Sequence, residues 1–264
     1  MTNSPFTLTL LGTGTSTGVP VIGCNCSVCR SDDPRNRRTR CSALWSWEGH
    51  HILVDTATDL RQQALRQGFT RVDAVLITHT HADHIHGIDD LRTFNFTSGA
   101  AIPLYGSTSV TTAIRRTFRY IFHDEPESGY RPRLETHSID TPFSLFGRTV
   151  IPVPLQHGGG HCFGYRIGNA AYLTDCNGIS DDSFSLLEGL DLVVLDALRF
   201  KPHQTHFNIP QAIEVAKKIA AKRTLLTHLS HDVDHAYHGE KLPKGIEFAF
   251  DGQTIVLSER DVTS

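Results

Sequence analysis

The stretch Ala74-Val75-Leu76-Ile77-Thr78-His79-Thr80-His81-Ala82-Asp83-His84 decides how the rest of this chain is read. Its first half is apolar and β-branched, the composition of a buried strand. Its second half puts four metal-competent side chains into six residues. Ile85 to Phe96 then reads as a helix, so the ligands are spread over a strand end, a tight loop and a helix start. Such a spread can direct one pair of ligands to each of two adjacent metals. A two-metal site generates hydroxide near neutral pH and clamps both sides of a displacement reaction.

Elsewhere in the chain, single metal-competent residues close other apolar strands. Asp55 ends Ile52-Leu53-Val54, His157 follows Val153-Pro154-Leu155, Asp175 ends Ala171 to Thr174, and His228 ends Thr224 to Thr227. Any one of them alone reads as a solvated loop residue or a satisfied core histidine. Together they place chemistry at strand ends, where α/β proteins keep it. Predicted strands and helices alternate in both halves: a helix over Leu60 to Gln67, another over Ser107 to Arg119, another over Ile209 to Ala221. Residues 120–145 carry Pro126, Pro132 and Pro142 and read as irregular, a lid or a surface excursion. Ile246 to Phe250 and Thr254 to Leu257 read as a closing hairpin around Asp251-Gly252. One α/β domain over residues 1–264, sheets sandwiched by helices, fits this order.

Composition narrows the class. The 264 residues are 39% hydrophobic and 20% charged, ordinary for a globular protein, with a formal net charge of −3 that argues against a general nucleic-acid binder. No run of about 18 apolar residues exists, so no membrane span is expected. Met1 to Phe6 shows no basic-then-apolar leader, and reduced thiols in a cytoplasmic setting are expected. Cys41, Cys162 and Cys176 read as small buried hydrophobes.

The series Asp55, His79-x-His81-x-Asp83-His84, His157, Asp175 and His228 resembles the motif series of the metallo-β-lactamase superfamily, over nearly the whole chain. The resemblance implies an αββα sandwich with metals at one edge. It assigns His79, His81 and His157 to one metal and Asp83, His84 and His228 to a second. Asp175 would bridge them, and Asp55 would hold a ligand imidazole in place. Zinc suits the imidazoles, and the carboxylates leave room for manganese or iron. Asp175 stands where lactam hydrolases of the superfamily often carry a cysteine, which points to the phosphodiesterase and thioesterase branches.

Cys24-x-Cys26-x-x-Cys29 offers three thiolates to one ion, and tetrahedral zinc needs a fourth ligand. His231, three residues past His228, is the candidate. A structural zinc there would clip the long loop of residues 12–41, which has no other evident support. This combination resembles the cyclic phosphodiesterases of carbon–phosphorus lyase pathways, which look dimeric; a homodimer is the corresponding expectation. A related protein of pyrroloquinoline quinone biosynthesis has a similar cysteine cluster with a degraded histidine block, and the intact block here argues against it. His206 precedes the helix from Ile209, with Asn208 as its N-cap. By resemblance it faces the metals as general acid or stabilises the phosphorane; His203 reads as a bystander. The Gly12 to Gly18 run fits neither dinucleotide nor P-loop spacing and reads as turn geometry. Arg30, Arg35, Arg37, Arg38 and Arg40 read as a solvated or ion-paired loop. His50, His51 and His161 are unassigned, His161 lying near the pocket.

The expected function is therefore hydrolysis of small, cyclic phosphodiesters by a metal-bound hydroxide, with Asp83 and His206 at the reacting centre. A tRNA 3′-processing endonuclease is the main rival, but the RNA-binding arm it needs is not seen. A thioester or lactone hydrolase shares the same ligands, and a non-catalytic metal scaffold is a third alternative.

Overall fold

A computed structural model describes residues 5–122 and 131–257. The first half of the chain lays down β1 (Thr7–Gly12), β2 (Ser42–Trp47), β3 (His50–Val54), β4 (Ala74–Leu76), β5 (Ile102–Gly106) and β6 (Leu134–Ser138). The second half lays down β7 (Phe143–Leu145), β8 (Arg148–His157), β9 (Gly160–Ile167), β10 (Ala170–Leu173), β11 (Leu192–Asp196), β12 (Arg223–Thr227) and β13 (Ile246–Phe248). The last strand, β14 (Thr254–Val256), returns to β1. Among the described residues the sheets run β14-β1-β2-β3-β4-β5-β6 and β13-β12-β11-β10-β9-β8-β7.

Period-two patterning builds the layers. In β3, Ile52 and Val54 enter the core between the sheets while Leu53 faces outward under helices; in β11, Leu192 and Val194 face in while Val193 and Leu195 face out. Both faces are apolar because both are covered, which is why these strands read as continuous apolar runs. The inner core stacks Phe6 on Trp45 (ring centroids 5.5 Å apart) and packs Tyr165 and Tyr172 beside them. Helices α1 (Leu60–Gln67), α2 (Ala82–Ile85), α3 (Leu91–Ser98) and α4 (Thr108–Thr117) belong to the first half, and α5 (Asp181–Ser185), α6 (Ile209–Ile219) and α7 (His235–Gly239) to the second. The result is the αββα sandwich.

Strands β3 to β6 are mutually parallel, as are β10 to β13. Their carboxyl ends therefore lie at one edge, and residues that leave those ends can meet there. Asp55, Asp175 and His228 leave through left-handed backbone at φ 61°, 57° and 61°. Asp and His are among the residues that tolerate this conformation, and it swings each side chain off its strand line.

Three sequence expectations are corrected. The helix predicted over Ile85 to Phe96 breaks at Gly87 into α2, a 3-10 turn and α3. A Cβ on Gly87 would lie 2.0 Å from the Ala57 carbonyl oxygen, so the chain passes too close there for a side chain. The closing hairpin is absent: β13 pairs parallel with β12, and β14 antiparallel with β1 in the other sheet. Asp251 is buried between them, its carboxylate accepting from Thr13 and Thr39, so the Asp-Gly turn is a crossover anchor. Within 120–145, β6 and β7 form where irregular chain was expected; residues 123–130, with Pro126, lie outside the described residues.

Candidate metal centre

Three imidazoles at the strand-end edge, those of His84, His79 and His157, are each aimed by a bond at Nδ1. The fully buried Asp55 accepts from Thr78 N–H (2.8 Å), Thr78 Oγ1 (2.8 Å) and His84 Nδ1 (2.7 Å). Because Thr78 Oγ1 gives its proton to Asp55, it accepts from His79 Nδ1 at 2.9 Å. His157 Nδ1 donates to the Thr205 carbonyl at 2.9 Å. In all three residues Nε2 is left free to ligate, the arrangement of second-layer partners that fixes a metal-binding tautomer.

The free donors converge in two groups, His79–His81–His157 and Asp83–His84–Asp175–His228, the donor atoms of each lying within 4.8 Å of one another. The sequence resemblance assigns these same residues to two metals, with Asp175 as the bridge. Asp175 lies between them: Oδ1 is 3.9 Å from His79 Nε2 and 3.2 Å from His228 Nε2, while Oδ2 is 3.2 Å from His84 Nε2. His157 Nε2 and His81 Nδ1 face each other at 3.2 Å. His79 Nε2, His84 Nε2 and both His228 nitrogens are buried without a hydrogen-bond partner. Orphaned buried polar atoms are costly, and a cation is what so many inward-facing lone pairs fit.

The charges are arranged accordingly. Burial pushes the Asp83 carboxyl up, but hydrogen bonds to the His228 and His84 imidazoles more than offset this and leave it well below the usual range. Burial likewise opposes ionisation of Asp175, and His228 and His84 overcome it. Burial, reinforced by His84, holds His79 neutral. Anionic carboxylates beside a neutral imidazole form a ligand set ready for a divalent ion.

His206 sits against this cluster, its ring stacked on His228 (centroids 4.5 Å apart, 13° between planes) and edge-on to His157 at 4.9 Å. A nitrogen of His206 lies within 4.8 Å of donor atoms on His157 and Asp175. Asn208 caps α6 with a full capping box to Gln211. Sequence reading missed the residue that orients His206. Fully buried Asp196, the last residue of β11, accepts from His206 Nδ1 at 3.2 Å and from Phe207 N–H at 3.1 Å. The signal was present: an acid closing an apolar strand, as Asp55 and Asp175 do. His203 is exposed with its ring 5.2 Å from that of His206, and His161 is exposed on β9. His51 bonds to Ser46 and His50 stacks on Phe146, both in the β2–β3 hairpin region.

The cysteine site forms a second cage. His231 Nδ1 faces the sulfurs of Cys24, Cys26 and Cys29 at 3.3, 3.5 and 3.6 Å. Tetrahedral zinc with bonds of about 2.3 Å to sulfur and about 2.0 Å to nitrogen sets such pairs roughly 3.5 Å apart. The Cys29 N–H bonds to Cys26 Sγ and pulls that thiol down to about 6. The cysteines are unpaired, and Cys41, Cys162 and Cys176 are buried.

The loop of residues 12–41 has other support than this cage, contrary to the sequence reading. Arg38 is buried, not solvated, and its guanidinium donates to the carbonyls of Ser230 and Val233 and to Asn36 Oδ1. Asp33 pairs with Arg35 and Asp59 with Arg40. Gly14 bridges to both Arg40 and Leu229, and its missing side chain admits Arg38 at a distance a Cβ would close to 2.9 Å. The glycines serve this packing.

Among the described residues no helix is long and apolar enough to cross a membrane. The family model for the beta-lactamase superfamily domain matches residues 50–229. A solved structure described as a new diphosphatase from the PhnP family is 44% identical, with TM-score 0.90 over 96% of this chain and 97% of that one. The zinc-bound PqqB from Methylobacterium extorquens superposes with TM-score 0.77 over 95% of this chain and all of that one at 20% identity, a likeness of fold alone. An octanoyltransferase from Porphyromonas gingivalis is 40% identical over 96% of this chain and 52% of its own length. This chain thus spans about half of that relative. Fold, ligand order and family match converge: the chain belongs to the metallo-β-lactamase superfamily and resembles the PhnP family within it.

Proposed function

We propose that this protein is a dinuclear phosphodiesterase of small substrates, cyclic phosphodiesters among them, with two zinc or manganese ions at the strand-end edge and a structural zinc on Cys24, Cys26, Cys29 and His231. The observation that carries the reading is the paired ligand groups sharing Asp175, with unpartnered buried imidazole nitrogens on both sides. His79, His81 and His157 would hold one ion, Asp83, His84 and His228 the other, and Asp175 both. When bound, the metals supply an acidified water and a Lewis-acid clamp on phosphoryl oxygens.

The chain's own residues do the rest. Asp55 fixes His84, and through Thr78 also His79, so the ligands are placed before metal arrives. Asp83 stays anionic beside the reacting centre. Asp196 holds His206 Nδ1 and leaves Nε2 to donate a proton to the departing alkoxide, or a hydrogen bond to the phosphorane. The PhnP-family neighbour's description as a diphosphatase also points to phosphoryl transfer.

The octanoyltransferase name of the half-matched relative favours a second reading, hydrolysis of an acyl thioester on the same ligands. A hydrolysis screen with metal-quantified protein separates them: cyclic and linear phosphodiesters, a dinucleoside diphosphate and an octanoyl thioester. Turnover of phosphodiesters at about three metals per chain, two by the dinuclear template and one structural, is expected. About one metal per chain without phosphodiester turnover would sink the reading, and thioester turnover alone would install the second. A steep fall in substrate affinity with salt would point to a polynucleotide substrate.

A further inference from the structure

The proposed proton donor lies on the loop between β11 and α6, whereas two of the metal-ligand candidates beside it, His157 and Asp175, lie on β8 and just after β10. A general acid is effective only if it is held within hydrogen-bond reach of the leaving oxygen. One side chain outside both ligand groups, Asn177, joins these three segments, alongside a backbone bond from Phe207 N–H to the Cys176 carbonyl at 2.8 Å.

Asn177 stands two residues after Asp175. Its Oδ1 accepts from Gly158 N–H at 3.1 Å, on the residue next to His157. Its Nδ2 donates to the Gln204 carbonyl at 2.7 Å, two residues before His206. Donor and acceptor neighbours fix which way the amide faces. Its backbone is fixed too: Asn177 N–H bonds to the Gln156 carbonyl and Gln156 N–H to the Gly178 carbonyl, both at 2.9 Å. The His157-to-Thr205 bond closes the same circuit from the other side. The Asp175 segment, the His157 end of β8 and the His206 loop therefore meet in one amide.

We infer that Asn177 is a positioning residue that holds the His206 loop against the metal edge, and so governs proton delivery to the leaving group without touching metal or substrate. The inference rests on the proton-donor role of His206 given above. None of the bonds from His84 to Asp55, from Thr174 to Asp175 or from His157 to Thr205 involves the Asn177 side chain. The effect therefore falls on the chemical step and not on metal loading. It also depends on the leaving group, because p-nitrophenolate departs without protonation and an alkoxide does not.

The test compares wild type, N177A, N177D, H206A and N177A/H206A on bis-p-nitrophenyl phosphate and on the alkoxide-releasing cyclic diester that the screen finds best. Asn177→Asp keeps the acceptor for Gly158 and turns the donor facing Gln204 into an acceptor, so it should behave like Asn177→Ala. Both are expected to lose at least tenfold in kcat on the alkoxide substrate and less than about threefold on the p-nitrophenyl ester, with KM and metals per chain unchanged. The double variant is expected to be no slower than H206A. Equal losses on both substrates, or a loss of metal, would make Asn177 general scaffolding and overturn the inference. So would wild-type kinetics in N177A while H206A shows the leaving-group pattern. If H206A lacks that pattern, the donor role of His206 fails first, and the inference falls with it.

Discussion

Asp196 shows how much a single carboxylate decides at this edge. It accepts hydrogen bonds from His206 Nδ1 and from Phe207 N–H, and it also lies 3.6 Å from His228 Nδ1. Asp196→Asn keeps the volume but can present an NH2 group to a nitrogen that needs an acceptor. We expect kcat on alkoxide-releasing diesters to fall about 10- to 100-fold. Metal bound through His228 should weaken by a similar factor. Kinetics at saturating zinc, together with zinc content at limiting zinc, checks both parts; unchanged values in each would remove Asp196 from the site. The residue was legible in principle, since it ends Leu192-Val193-Val194-Leu195 as Asp55 ends its own run. Arg38 was not, because nothing in an arginine-rich loop marks which guanidinium will be buried against Ser230 and Val233.

At the scale of elements, the ligand block works because α2 is short. The chain runs from β4 through His79 and His81 into one turn of helix, then turns at Gly87 under the Ala57 carbonyl. Thr56 braces that turn by donating to the carbonyl of Ile85, and Gly87 N–H bonds to the Thr56 carbonyl. Gly87→Ala forces a Cβ against backbone that cannot step aside, and overpacking of this kind costs roughly 1–3 kcal/mol. We expect the unfolding free energy from urea denaturation to fall by about that amount, together with weaker zinc retention at Asp83 and His84. A variant as stable as wild type would show that the Ala57 segment gives way. Apolar periodicity located α1, α6 and the buried strands, though not β6 or β7, because local patterning suffices for them. It missed the break at Gly87 and the fate of β14, because a long-range approach decided the first and pairing with β1 in the other sheet the second.

For the whole molecule, metal and fold are linked. Burial alone would lower the His84 pKa, but the carboxylates of Asp175 and Asp55 outweigh it and hold it well above 6.5 in the metal-free protein. A zinc ion on that imidazole competes with a proton for it. Binding therefore releases protons, and affinity rises with pH. Calorimetry of zinc binding in buffers of different ionisation enthalpy should report that release at pH 7 and less of it as pH rises. Zinc at about 100 times its dissociation constant should add roughly 2.7 kcal/mol per site to stability, lost on chelation. Proton uptake on binding, or no thermal shift with chelator, would contradict this.

The sequence by itself determined the chemistry on offer: which strand ends carry imidazole or carboxylate, and three cysteines at a spacing that suits one ion. Those are properties of residue type and local order, set by pattern and ligand chemistry. The tertiary structure decided the rest. It alone put Asp196 behind His206, Asn177 between three segments and His231 over three sulfurs, and sent β14 to the other sheet. Asp196 and His206 are ten residues apart and the Asn177 contacts span 19 and 27, whereas His231 reaches cysteines 202 to 207 residues away; loop paths and long-range packing, which no local pattern encodes, set these distances.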